Sequence, residues 1–340
     1  MKRVLSLCLC LIVCFSLVAV PAHAEYATPI NDYYYAEGDH AVAVVSYPSD
    51  DSSLGKHTVY YPEDIQTAED KLPMVIFCNG TGLKSDYYLD FIYFLVSRGY
   101  IIAGNDAGST GTGVTTHKTL DFMLALNEDS SSVFCNKIDI DRIALIGHSQ
   151  GGSSTINSAS EGKFENSGMI KTIVSINGPQ PRIAAGIFQR TPYDATLVKV
   201  PAFFIGSDDF IDDNIIPGVG ICPMDTALTA NMNAVDNDIV VIGQIRGCDH
   251  DNALDHGRGY IAAWLDYILY GNSFAAGAFE GLDGELFHNY DWRNTMHKTS
   301  GAVGEDLQQM TLAEYLIALF KNMMDTFTQN LKNCMKIFFR

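Results

Sequence analysis

The chain is expected to fold as an α/β protein: a mostly parallel, doubly wound sheet opened by an N-terminal antiparallel hairpin and followed by a C-terminal helical extension. Three observations point there. Short apolar runs recur without polar alternation, as strands covered on both faces require. Helical stretches separate successive runs, and that alternation winds a parallel sheet. The 340 residues are 47% hydrophobic and 18% charged, enough to bury one large core, with no change of composition that calls for a second globular unit.

The elements follow in chain order. Lys2-Arg3, an apolar stretch from Val4 to Val20 and then Ala22-His23-Ala24 give the charged, hydrophobic and small-residue order of a secretory signal. Residues 1–24 are therefore expected to be removed near Ala24 and the protein exported. Residues 42–45 and 56–61, joined by the polar turn 49–53, form the expected hairpin. Core strands are expected at 74–78, 100–104, 143–146, 172–176, 202–205 and 239–242, with helices at 87–98, 118–127, 150–160, 226–234 and 259–270. One catalytic unit, 25–295, accommodates all of these.

In the remaining segment, 296–340, Leu312, Leu316, Leu319, Met323, Phe327, Leu331, Met335 and Phe338 recur at intervals of three and four, the apolar face of a long helix. Packing on the domain or on a second copy would cover that face. A membrane surface would do so too, and Lys332, Lys336 and Arg340 suit that alternative.

Charge excludes one class of partner. The chain carries 22 basic and 40 acidic residues, a net −18, and loss of the leader leaves 20 against 40, a net −20. With no basic stripe to offset this, nucleic acid is not an expected partner. Three of the eight cysteines lie in the leader, leaving Cys78, Cys135, Cys222, Cys248 and Cys334. An exported chain can oxidise them, and a Cys222–Cys248 disulfide joining two functional loops is the first expectation, with reduced buried thiols as the alternative.

Chemistry concentrates at Gly147-His148-Ser149-Gln150-Gly151, directly after the strand 143–146. A nucleophilic serine must leave a buried strand, turn sharply in a strained conformation and project its hydroxyl before a helix begins, so residues without bulky side chains are needed on either side, and Gly147 and Gly151 supply that room. Its hydroxyl needs an imidazole to take its proton and a carboxylate to hold that imidazole in one tautomer. The strands 202–205 and 239–242 lead into Gly206-Ser207-Asp208-Asp209-Phe210-Ile211-Asp212 and Gly243 through Gly247-Cys248-Asp249-His250. They supply the order serine, acid, histidine.

His250 is the expected base, with His256 as fallback, and Asp209 the expected acid, with Asp208 next. The acidic cluster Asp208, Asp209, Asp212, Asp213 also reads as a calcium-attracting or solvated turn. The oxyanion is expected to lie between the backbone N–H groups of Gln150 and Thr81, the latter in the loop Asn79-Gly80-Thr81-Gly82. His148 is expected to bond locally. His40, His57, His117, His288 and His297 carry no local pattern and default to the surface. No metal or cofactor is called for.

Several stretches, in order, make the chain resemble the secreted bacterial cutinases and polyester hydrolases, dienelactone-hydrolase-like members of the α/β-hydrolase fold. They are Tyr47-Pro48-Ser49 through Val59-Tyr60-Tyr61-Pro62, Ser97-Arg98-Gly99-Tyr100, the serine motif with Gly152, Pro201 to Asp209, Gly247 to His250, and Trp264-Leu265 with Gly271-Asn272-Ser273. The resemblance spans roughly residues 38–280. It implies a secreted serine ester hydrolase acting through an acyl-enzyme on an ester or polyester.

Other readings are a lipase or short-chain acyl esterase without polymer activity, a peptidase, and a non-catalytic surface-binding protein on the same scaffold. The chain departs from the family where Gln150 replaces a methionine, Thr81 an aromatic residue, and Asn177-Gly178-Pro179 a segment bearing tryptophan.

Overall fold

A computed structural model describes residues 27–187, 189–213 and 219–299. The leader 1–24, its cleavage point and nearly all of the segment 296–340, with its helical pattern and Cys334, lie outside the described residues.

Nine strands form one sheet in the order β1-β2-β4-β3-β5-β6-β7-β8-β9. β1 (Val42–Pro48) and β2 (Lys56–Pro62) are the expected antiparallel hairpin, and β2 joins β4 (Ile101–Asn105) antiparallel. The parallel body consists of β3 (Leu72–Cys78), β4, β5 (Ile138–His148), β6 (Ile170–Ile176), β7 (Ala202–Ser207) and β8 (Val240–Ile245). Every residue of β4, β7 and β8 is buried, which is why their sequence shows no alternation.

Helices cover both faces. On one lie α1 (Pro29–Tyr35), α2 (Leu89–Ser97) and the long helix following β8, Ala253–Tyr270, against Val75, Phe77, Ile146, Phe203 and Val241. The opposite face carries α3 (Val114–Glu128) and α4 (Gln150–Ala159) against Met74, Ile76, Leu145, Phe204 and Ile242. Successive strand residues point to opposite sides, so the two cores share strands but not side chains.

Among the elements that escaped the sequence reading, a helix and a strand bear on the fold. The helix α1 has no apolar period of its own. Its first free N–H groups, on Ile30 and Asn31, donate to the Glu285 carboxylate at 2.7 and 2.8 Å, and Tyr34 is buried with its hydroxyl on Asp266. The strand β9 (Trp292–His297) pairs antiparallel with β8. It takes Met296 and His297 into the sheet, so the sheet runs past the expected boundary at 295.

The expected Cys222–Cys248 disulfide is absent: both thiols are free and buried, as is Cys78. Cys222 packs in the core on the α3 and α4 face, and Cys248 in the core on the α1 and α2 face. The sheet separates them. Three histidines expected at the surface, His57, His117 and His297, are buried as well. His57 stacks on Phe122 at 4.3 Å and His117 on Phe164 at 4.0 Å between ring centroids.

Candidate active site

The site begins at the end of β5. Ser149 has φ 54° and ψ −124°, a conformation that non-glycine residues reach only under strain. The surrounding structure enforces it. A Cβ on Gly147 would fall 2.1 Å from the Gly151 carbonyl oxygen, and one on Gly151 would fall 1.9 Å from that of Cys78. Neither position tolerates a side chain. On Gly152, a Cβ would lie 2.6 Å from Gly178 Cα, so the helix that follows sits directly on the adjoining loop. Ser149 N–H donates to the Ile176 carbonyl at 2.8 Å, and α4 begins at the next residue.

The loop after β3 closes one side of the serine. Gly80 approaches it so closely that a Cβ there would lie 3.4 Å from Ser149 Cβ. Thr81, the next residue, is exposed. Gln150 opens α4, where a backbone N–H has no intrahelical acceptor. Its side chain faces inward instead: Oε1 accepts from Thr110 N–H at 3.0 Å, and Thr110 Oγ1 donates to the Asn79 carbonyl at 2.7 Å. The departure from methionine at this position thus gives a polar brace to the loop bearing Gly80 and Thr81.

His250 follows β8, with its side chain 16% exposed. Its Nδ1 lies 2.8 and 3.0 Å from the two carboxylate oxygens of Asp212. Here the structure corrects the sequence reading, which favoured Asp209 and then Asp208. Asp209 Oδ1 accepts from the backbone N–H groups of Ile211 and Asp212 at 3.0 and 2.8 Å, its Oδ2 from His250 N–H at 3.3 Å, and its carbonyl from Asp213 N–H. It caps a helix-like turn, and that turn swings the residue three positions on toward the imidazole.

Asp208 is held elsewhere, by Gly247 N–H at 2.7 Å and by Arg293 of β9, which also pairs with Asp213. Among the four acidic residues, Asp212 faces the imidazole, Asp209 caps the turn, and Asp208 and Asp213 share Arg293. The spacing Asp209-x-x-Asp212, an Asp positioned to cap its own turn, was the signal available in the sequence. His256, the fallback base, opens no comparable pair and is exposed on the helix after β8.

Burial sets the electrostatics. It removes all solvent from Asp212 and holds that carboxyl above the usual range, although the hydrogen bond and charge of His250 pull it back. Burial alone would lower the His250 pKa, but the hydrogen bond and charge of Asp212, with Asp251 and Asp209 adding, outweigh it and the value is raised. For His148, burial and the nearby His250 push the pKa down to about 4. This ring is neutral at ordinary pH.

Backbone placement of His250 is equally determined. Its carbonyl accepts from His148 Nε2 at 2.8 Å and from Asn177 Nδ2 at 2.9 Å. Asn177, at φ 49° directly after β6, also bonds Ser207 at the end of β7 through both its amide groups. The ends of β5, β6, β7 and β8 are thereby tied together, and His148, the neighbour of Ser149 in the chain, lies against the imidazole at 4.8 Å between centroids.

A mostly parallel sheet with a strained serine at the turn from its central strand into a helix, and an aspartate and histidine paired from the two strand ends beyond, defines an α/β hydrolase. The chain belongs to the PET hydrolase-like family, which matches residues 29–213, more than half its length. The matched part holds Ser149, Asp209 and Asp212 and stops before His250. This membership gives the broad activity, hydrolysis of esters. No curated protein matches the chain.

Proposed function

We propose that the protein is an exported serine carboxylesterase in which Ser149 is the nucleophile, His250 the general base and Asp212 the carboxylate that orients His250. Ser149 Oγ attacks the ester carbonyl carbon while its proton passes to Nε2 of His250. The negative charge that develops on the carbonyl oxygen is met by the backbone N–H groups of Thr81 and Gln150. Collapse of the tetrahedral intermediate expels the alcohol, which takes the proton from His250. Water then attacks the acyl-enzyme by the same path and releases the acid. Asp212 keeps the Nδ1 proton of His250 in place, so that Nε2 is the free acceptor.

The observation that carries this reading is the contact of His250 Nδ1 with both oxygens of a fully buried Asp212, together with a serine held at φ 54° whose chain neighbour His148 lies 4.8 Å from the His250 ring. Apolar side chains exposed on nearby segments, Phe210 and Ile211 on the acid loop and Ile187 and Val219 on neighbouring ones, suit an apolar ester. Thr81 and the segment Asn177-Gly178-Pro179 stand where the family carries aromatic residues, which favours aliphatic acyl groups over aromatic polyester units. The leader 1–24 supports export.

p-Nitrophenyl butyrate and a fluorophosphonate probe test the proposal together. The wild type should release nitrophenol and take one label, and Ser149→Ala should do neither, its turnover down by about a million-fold if the three residues act as a unit. A wild type that neither turns over nor labels would overturn it. Comparison of an aliphatic with an aromatic polyester film then tests the acyl preference.

A further inference from the structure

Resting on that reading, we infer that Tyr88 and His148 are positioning residues. They form a one-way hydrogen-bond brace fixing the oxyanion loop to the loop of the general base: Gly80 N–H to the Tyr88 oxygen, Tyr88 O–H to His148 Nδ1, and His148 Nε2–H to the His250 carbonyl.

The three distances are 2.9, 3.2 and 2.8 Å. Their direction follows from the chemistry of the ends. A backbone N–H can only donate and a carbonyl oxygen can only accept. His148 Nε2 faces the carbonyl and must carry the proton, so in a neutral ring Nδ1 is the acceptor. Tyr88 must then donate to it, leaving its oxygen lone pairs for Gly80. Each group along the path has one role and each role is filled. Reversing any link would set two donors or two acceptors against each other in a buried site, where an unmade bond is costly.

The surroundings hold the brace in that state. Tyr88 is 5% exposed and His148 1%. Burial keeps His148 neutral, with a pKa near 4, and keeps the Tyr88 phenol protonated by raising its pKa. Of the titratable groups facing the pair, Tyr87 and Asp251 act on Tyr88 and His250 acts on His148.

What the brace joins gives it its consequence. Gly80 adjoins Thr81, and its own Cβ position lies against Ser149. At the other end, the His250 carbonyl belongs to the residue whose imidazole must meet the serine hydroxyl. The spacing between the oxyanion donors and the base is therefore set by two side chains that touch neither substrate nor reacting atoms. Asn177 supplies the second bond to the same carbonyl and limits how far the base loop moves when the brace is cut.

The test uses the full chain, with Tyr88→Phe, His148→Gln and His148→Leu. Tyr88→Phe keeps the ring and removes the oxygen. Turnover of p-nitrophenyl butyrate should fall at least about tenfold with KM within about twofold, since displacement of a catalytic group by an ångström costs on the order of a hundredfold. His148→Gln, which can still present an amide N–H to the His250 carbonyl, should recover most of the turnover that His148→Leu loses.

Nitrogen-15 NMR of the histidine rings gives a reading independent of activity. His148 should be the Nε2–H tautomer from pH 6 to 8, with an Nδ1 shift typical of a hydrogen-bonded acceptor that moves to the free-acceptor position in Tyr88→Phe. An Nδ1–H tautomer, an unmoved Nδ1 shift, or Tyr88→Phe with wild-type kcat would overturn the brace. Were the wild type inactive on esters, the NMR result would still decide for or against the brace, while the esterase reading alone would fall.

Discussion

Asp212 presents both carboxylate oxygens to Nδ1 of His250, at 2.8 and 3.0 Å, from a position with no solvent exposure. Asp209, three residues earlier, touches His250 only through the backbone N–H. The two aspartates share a loop and divide its work, one orienting the imidazole and the other shaping the turn that brings the first into reach.

Replacement of each by asparagine should separate these duties. Asp212→Asn leaves the shape but permits the wrong tautomer of His250, a defect worth about 10⁴-fold in kcat. Asp209→Asn keeps an oxygen for the turn and should cost less than about tenfold, with its main effect on stability, about 1 kcal/mol. Steady-state kinetics on p-nitrophenyl butyrate and urea melts would check both, and the reverse ranking would return the acid role to Asp209.

The acid limb of the pH profile should be displaced upward. Base catalysis requires neutral His250, whose pKa in the folded protein is raised above the ordinary 6.5 because Asp212, Asp251 and Asp209 outweigh burial. kcat/KM should rise with pH through a midpoint above 6.5, and Asp212→Asn should move that midpoint down. A wild-type midpoint at or below 6.5 would contradict the electrostatics described above.

His148 makes a separate prediction for stability. The unfolded chain protonates this ring at about 6.5 and the folded one only at about 4. As pH falls through that window the unfolded state gains a proton that the native state lacks, and stability drops by about 3 kcal/mol in all. The glutamine variant at 148 cannot take up that proton. The stability gap between wild type and His148→Gln, read from urea melts, should therefore narrow between pH 7 and pH 5.

Reductant should leave the melting temperature unchanged. Loss of a native disulfide costs about 2–5 kcal/mol, several degrees for a domain of this size. Cys222 and Cys248 lie on opposite faces of the sheet and are unlinked. In the native protein a bulky thiol reagent should find the partly exposed Cys135 while sparing Cys78, Cys222 and Cys248. A fall of several degrees in dithiothreitol would show that the chain does form a bridge.

The parts of the fold visible in the sequence are those with a local cause. Uninterrupted apolar runs marked β3 to β8, and the glycines beside Ser149 marked the elbow, because a missing side chain there is a local steric necessity. Asp212 was harder to find because its role depends on a turn made by Asp209, which propensity does not display. The strand β9 was missed because Trp292 to His297 alternates too weakly to announce a strand, and it forms because β8 offers it an edge. Helix α1 depends on a carboxylate at Glu285, and the pairing of cysteines on which sheet face each occupies. Neither is a property of the segment itself.

Arg293 bonds Asp208 and Asp213, which bracket Asp212, from a strand eighty residues further along the chain. A polypeptide emerging from the ribosome acquires its serine early and this guanidinium late. Until β9 has been synthesised and has docked on β8, Asp208 and Asp213 lack this guanidinium, and the segment bearing Asp212 is held by the Asp209 turn and its own backbone bonds. A chain that stopped short of β9 would thus carry the same acid turn with two of its carboxylates crowded together and no guanidinium between them.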